Sequence, residues 1–425
     1  MSSTHRHADR TLRGVLTHPS LWVAPAGLIS VLALLLSLIY MGGILDPRGN
    51  MKDLPVGLVS EDRGAAGHTE VLGQRIVESV RASDPEHHVD WRVLDMAEAR
   101  RQLASDKLYG ILAVPADFTA RVSGLAVESG APSARPRIDV LTSPGAGSLG
   151  SSLASTAMQQ AARQASVRLG ESLTAPTAGT GGSRPVDPAA RLLLADPVEV
   201  AVSVGHPIGT RSGMGLSAFY YALLLVLIGF LCAGIVSSGT DIGLGYAASD
   251  FGPLRRHKPL VEISRRRAFL VNSAFTVGLS FVTSSILMAV TVGFLDMDAQ
   301  HLPLLWVYSV CATAAVGVGA QALTSALGAL GQPVAMLVFI ALALPSSGGT
   351  VPIQAVPHAY RILAEFEPMR QVTDGVRSIL YFGARADAGL ARAWAMTGAG
   401  LVAAVLLGLA VTTVYDRRGL RRVSR

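Results

Sequence analysis

Charge is scarce in this chain. Asp, Glu, Lys and Arg make up 16% of its 425 residues, against about 25% in an ordinary soluble domain. With 50% hydrophobic residues and a mean hydropathy of +0.42, that scarcity excludes a string of soluble domains, although the length alone would hold about three. The apolar content equally excludes whole-chain disorder. Cysteine is nearly missing: Cys232 and Cys311 both fall inside apolar runs, which excludes a disulfide scaffold. No Gly-Lys pair occurs, so a phosphate loop is absent, and the Gly-rich stretch 239–245 reads as a flexible exit from a span. Ser346 and Ser347 precede glycines but stand in no nucleophile elbow. The adjacent His87 and His88 would point to opposite sides of a strand, which is poor metal geometry. His5, His7 and His18 read as surface residues. These absences argue against an enzyme and imply no cofactor and no metal. The net charge of +6 is a membrane-edge signal, not a nucleic-acid one.

What is present is apolar runs. A bilayer core needs roughly 20 apolar residues in a helix. Six windows approach or exceed that length: 21–45, 214–238, 268–295, 304–330, 333–349 and 396–415. None contains Asp, Glu, Lys, Arg or His. The first is too long for a signal-peptide core, and Tyr40-Met41-Gly42-Gly43 is no cleavage site, so it is expected to stay as a span. Basic residues then set the orientation. Arg6, Arg10 and Arg13, the connection with Arg255, Arg256, Lys258, Arg265, Arg266 and Arg267, and the tail with Arg417, Arg418, Arg421, Arg422 and Arg425 should all lie in the cytoplasm. The turn 296–303 has two acids and no Lys or Arg, as an outside loop should.

The expected architecture is an α-helical polytopic membrane protein of six transmembrane helices, with an extracytoplasmic α/β domain inserted between the first and second. Residues 1–20 form a cytoplasmic amphipathic segment, 21–45 the first helix, 46–213 the inserted domain and 214–415 a five-helix membrane domain. That last part includes the cytoplasmic loop 239–267 and an outer-surface segment 350–395; residues 416–425 are a basic cytoplasmic tail. The insertion carries seventeen Lys/Arg against nineteen Asp/Glu and alternates strand and helix patterns. Strands are expected near 56–59, 89–94, 109–114, 137–141 and 198–204, and helices over 71–80, 96–105 and 149–173. Asp95 and Glu98 should form a capping box, and 174–188 a flexible loop.

Ion-coupled transporters keep ionisable residues inside their spans as relays. Their absence here implies that if the chain moves something, a partner supplies the energy. Gly400, Ala404 and Gly408 lie four apart on one helical face, which allows close packing within a chain or between subunits.

The segment Pro345-Ser346-Ser347-Gly348-Gly349-Thr350-Val351-Pro352 closes the fifth window, and Glu367-Pro368-Met369 with Asp374-Gly375-Val376-Arg377 follows. This order resembles the membrane subunits of type-2 ABC exporters, especially their phage-infection-protein-like branch. Leu54 to Gly64 (LPVGLVSEDRG), Asp90-Trp91 and Tyr109 to Phe118 (YGILAVPADF) resemble that branch's external domain. The chain departs at Ser60, where the family often has Asn, and in its Gly/Thr/Pro loop. The resemblance implies a permease subunit with a separate cytoplasmic ATP-binding subunit, paired as a homodimer or with a related permease. Residues 4–20 and 239–267 would meet the ATPase. On the residues alone, Pro345 to Pro352 is either a broken-helix gate or a plain helix end. Arg255, Arg256, Lys258 and Arg265 to Arg267 either face that ATPase or hold anionic lipid headgroups.

The leading expectation is an exporter permease for amphipathic or hydrophobic cargo in the plasma membrane, with both termini cytoplasmic, lipids around it and no nucleic-acid partner. The alternative is a non-transporting surface protein, receptor-like or a secretion scaffold, acting through the inserted domain. A third reading is an ion-coupled pump.

Overall fold

The computed structural model describes residues 19–65, 71–84, 86–127, 135–174, 196–251, 254–256, 258–420 and 422. The amino-terminal amphipathic segment, nearly all of the 174–188 loop, and Arg421 and Arg425 of the tail lie outside the described residues. The protein is mostly helical, with a small mixed sheet. Among the described residues, four helical stretches are long and apolar enough to cross a membrane: Ser217–Gly243, Arg265–Phe294, Leu302–Ser346 (which turns back at Gly328) and Leu390–Arg417. A helix α1 (Pro19–Ile44) precedes the sheet.

The sheet body follows α1. Strands β1 (Leu54–Ser60), β2 (Val89–Val93), β3 (Gly110–Val114), β4 (Arg137–Thr142) and β5 (Glu199–Val204) pair in the order β2-β1-β3-β4-β5. All neighbours are parallel except β3 with β4. Helices α2 (Leu72–Ala82), α4 (Phe118–Val127) and α5 (Ser148–Thr174) bury Ile76, Val80, Phe118, Val122 and Met158 against Val56, Leu58 and Val140 on one face. Helix α3 (Met96–Leu103) covers the other face with Ala99 and Leu103. Half of the expected capping box forms. Asp95 accepts from the Glu98 N–H at 2.7 Å, but the Glu98 carboxylate turns to Arg101 and Gln102, whose side-chain donors lie within its reach. The Asp62 carboxylate accepts from Gly73 N–H (2.8 Å) and Thr119 N–H (3.1 Å), so it occupies the amino ends of α2 and α4 itself.

The helical body begins with α6 (Ser217–Gly243). A two-stranded ribbon, β6 (Ser249–Phe251) and β7 (Leu254–Arg256), leads to α7 (Arg265–Met288) and its wide π-turn extension Ala289–Phe294. Helix α8 (Leu302–Leu327) ends at Gly328, whose φ of 60° suits glycine. The chain then folds back through α9 (Gly331–Met336), a π segment Leu337–Ala341 and the short α10 (Ala343–Ser346). The reversal is plain from one contact: a Cβ on Gly319 would stand 2.8 Å from the Phe339 ring, whereas twenty residues of straight helix would separate them by about 30 Å. Helices α11 (His358–Ala364), α12 (Pro368–Tyr381) and α13 (Leu390–Arg417) complete the chain.

Helix α12, within the expected outer-surface segment 350–395, is largely covered by protein: eleven of its fourteen residues are buried. Met369, Val372, Val376 and Ile379 join Phe219, Ala222, Leu305 and Tyr308 in one core, and Gly375 lets the Tyr308 ring pass where a Cβ would stand 2.4 Å from it. Apolar burial on this scale outweighs the preference of its charged face for water, because that face finds a covered polar site instead.

Candidate functional site

The sheet body and the helical body are joined by the segment expected to form the broken helix. Pro345, Ser346 and Ser347 are buried at the end of α10, beyond a π segment that accommodates the N–H missing at Pro345. A Cβ on Gly43 would stand 2.6 Å from Pro345 Cβ, so α1 is pressed against this corner. Gly348 adopts a φ of 69°, a region that costs other residues strain. Gly349 is needed for space, since an added Cβ would lie 2.1 Å from the Phe219 ring of α6. After Pro352 the segment changes owner: Val351, Ala355 and Val356 belong to the sheet body's core. Lys52 N–H donates to Gln354 C=O at 2.8 Å, and Arg361 bonds both Asn50 and Gln354 carbonyls. The motif is thus a buried strut with one end in each body.

Beside the strut lies a buried ionic group. The Arg377 side chain is 6% exposed; its Nη1 stands 3.5 Å from Asp106 of the sheet body and 3.9 Å from Asp374, and its Nη2 donates to Gly348 C=O at 3.1 Å. Arg370 stands 3.7 Å from Asp374. Tyr109 OH donates to Gln354 at 3.1 Å, and Ser105 donates to Asp387 at 3.0 Å. These residues line a polar cavity of about 360 Å³ that also takes in Arg92 and Lys107. Burial raises the Asp106 carboxyl to about 7, with repulsion from Asp374 adding to the rise and Arg377 opposing it. Burial also raises Asp374, against the pull of Arg377 and Arg370. Glu367 caps α12 by accepting from Met369 and Arg370 N–H groups, and burial still raises it to about 7. The group is a fixed, proton-sensitive link between two bodies. Chemically it can take up a proton or hold a small polar ligand.

The other expected residues fall elsewhere. Arg256, Lys258, Arg266 and Arg267 are exposed at the opposite end of the helices. The Asp416 carboxylate at the end of α13 accepts from the N–H groups of Arg265 and Arg266 (2.9 and 3.0 Å), capping α7. Arg422 pairs with Asp241 and covers the Tyr246 ring. The loop 239–267 and the tail therefore meet. Of the small-residue face on α13, Gly408 is pressed against the Phe269 ring, 2.2 Å from a Cβ, and Ala404 packs on the same cluster while lining a cavity; nothing would meet a Cβ on Gly400. Sequence reading missed Asp106 and the burial of Arg377. The available signal was the spacing of Arg370, Asp374 and Arg377, which share one helical face opposite the apolar Met369, Val372 and Val376; Asp106 had none.

Fold and site define a protein of apolar helices, compatible with a membrane, that carries a small mixed sheet on a buried ionic joint. The chain belongs to the family described as "Protein of unknown function (DUF3533)", whose model matches residues 27–399, from within α1 through the sheet and the joint into α13. No curated protein matches the chain, and no solved structure does.

Proposed function

We propose that this chain is the permease subunit of an exporter driven by a separate cytoplasmic ATPase, similar to the type-2 ABC exporters, and that it moves amphipathic or hydrophobic cargo outward. In this reading α1, α6, α7, α8, the returning arm 331–346 and α13 are six crossings of the plasma membrane. The sheet body lies outside, and the end bearing Arg265 to Arg267 and Asp416 lies in the cytoplasm with both termini. The observation that carries the reading is the distribution of charge. The apolar windows hold no Asp, Glu, Lys, Arg or His, and the two buried charged residues among those described, Glu367 and Arg377, lie at the head of α12 and within it, outside those windows. A chain built so has no relay through its spans and borrows its driving force. The strut supports the reading as well, because it ties the returning arm to the sheet body, so motion at one is felt by the other. Arg255, Arg256, Lys258 and Arg265 to Arg267 are the candidate ATPase contacts. The exporter is a homodimer or a pair with a related permease.

The test is affinity capture from native membranes, followed by export assays with each captured ATPase inactivated. The reading expects an ATPase in the eluate and export that stops with its loss; capture of none, with export unchanged, contradicts it. A second reading, ion-coupled efflux, draws on Asp374, which lines the joint, and on the buried Glu367 at the head of α12. It expects transport that collapses with the proton gradient at constant ATP.

A further inference from the structure

Strand β2 lies at one edge of the sheet. His88 C=O accepts from Leu54 N–H at 3.0 Å, and Leu94 N–H donates to Leu58 C=O at 3.1 Å, so the even-numbered residues between them pair with β1. Successive residues of a strand aim their backbone groups to opposite sides, which turns Val89, Trp91 and Val93 outward. The Asp84 carboxylate takes Val89 N–H at 2.7 Å. Among the described residues, Val89 C=O, both backbone groups of Trp91 and Val93 N–H have no partner. The strand has no Pro, no Lys and a regular register, so it lacks devices that usually blunt an edge. Its charged residues, Asp90 and Arg92, pair with each other at 2.7 Å, and Val93 is 53% exposed.

Between this strand and α5 lies a cleft of about 310 Å³. Val89 and Trp91 line it and Asp90 does not, so its strand wall is the side-chain face turned to α5. The helix wall carries Thr156, Gln160 and Gln164 one turn apart. Gln160 and Gln164 are exposed, and neither amide has a hydrogen-bond partner among the described residues. Arg48, on the connection from α1, is exposed at the cleft and has no ion-pair partner among them either. The lining carboxylate, Asp84, is already held by Val89 N–H and by His88 Nδ1 at 3.2 Å. The cleft thus sets open amides and one open cation beside a row of open main-chain groups.

We propose that an extended peptide segment adds to the β2 edge and seats an acidic side chain in the cleft toward Arg48. Its main chain bonds Val89, Trp91 and Val93, and every second side chain faces α5. The site adjoins the strut, because Asn50 C=O, two residues after Arg48, accepts from Arg361 at 2.8 Å. The inference concerns binding alone and stands whether or not the chain exports. Full-length protein in lipid nanodiscs is screened against a bead-bound library of octapeptides with Glu fixed near the centre. The strongest sequence is resynthesised with a fluorophore, and again with its odd or its even amides N-methylated. One methylated form is expected to lose binding and the other to keep it, because only alternate amides of an added strand face β2. Val93→Pro removes an outward N–H without touching the pairing with β1 and should weaken binding about fivefold, the worth of one hydrogen bond. Arg48→Gln should weaken it about threefold, the worth of an exposed ion pair, and bring the Glu peptide level with its Gln counterpart. Arg163→Gln, on α5 outside the cleft, leaves binding unchanged. If Val93→Pro fails to fold, the two methylated forms decide on the parent protein. Absence of any saturable binder, or equal behaviour of the two methylated forms, overturns the proposal. So does binding of maltotriose in place of peptide, lost in Gln160→Ala, which would assign the cleft to a sugar.

Discussion

The two ends of the helical body treat charge in opposite ways. At the sheet end Arg377, Asp106 and Asp374 are drawn into a covered joint, with the Arg377 side chain 6% exposed. At the other end Arg256, Lys258, Arg266 and Arg267 stand in the open, and Asp416 takes only the first N–H groups of α7. Buried charges are tolerated only when paired, and breaking one pair is expensive; exposed pairs contribute little. The sheet end is therefore built for a fixed mutual arrangement, and the other end is left available.

That contrast orders the predictions. Arg377→Met leaves the partly covered Asp106 without its cation and Asp374 with Arg370 alone, and should destabilise the protein by about 3 kcal/mol. A lowered melting temperature and faster proteolysis of the sheet body would show it; an unchanged midpoint would mean the joint is wet and loose. Gly349→Ala drives a methyl group into the Phe219 ring and should cost about 1–3 kcal/mol, partly recovered by adding Phe219→Leu. Acidity should act through Asp106 at the joint and Glu367 at the head of α12. Asp106 and Glu367 both titrate near 7 when folded, against about 3.9 and 4.3 when unfolded. The folded state therefore binds more protons between these limits. The stability they contribute is complete below pH 4 and is lost as pH rises through 7. Unfolding midpoints measured across that window should fall with pH, and Asp106→Asn should flatten part of the slope. At the opposite end, Asp416→Ala should cost about 1 kcal/mol by freeing the Arg265 and Arg266 N–H groups of α7, whose N-cap Ser264 still holds Arg267 N–H. Smallest is the pair Arg256→Ser and Lys258→Ser, within about 0.5 kcal/mol in stability; on the proposed function it nevertheless reduces capture of the ATPase.

Much of this arrangement was legible in the sequence. Runs without charge located the apolar helices, and period-two and helical spacing located all five strands of the sheet and most of its helices. The turn from Pro345 to Pro352 was legible as a special place because Pro and adjacent glycines restrict and free the backbone. Its role as a strut was not. Val351, Ala355 and Val356 enter a core assembled from residues about 150 to 300 positions earlier, and no local pattern announces so distant a partner. The burial of α12 was hidden for a related reason: a charged face opposite an apolar face describes an exposed helix and equally a covered one whose charged face meets Asp106. The face of Gly400, Ala404 and Gly408 looked uniform because sequence spacing fixes which side a residue faces. Whether Phe269 or open space waits there is decided by the neighbouring helix.

The central claim is that this chain lacks its own driving force. Its most direct test is uphill movement of a fluorescent amphiphile in proteoliposomes holding the purified chain, with ATP and a proton gradient supplied in turn, alone and with the captured ATPase. The account predicts accumulation only when ATPase and ATP are both present. Accumulation by the chain alone, under either energy source, would contradict it.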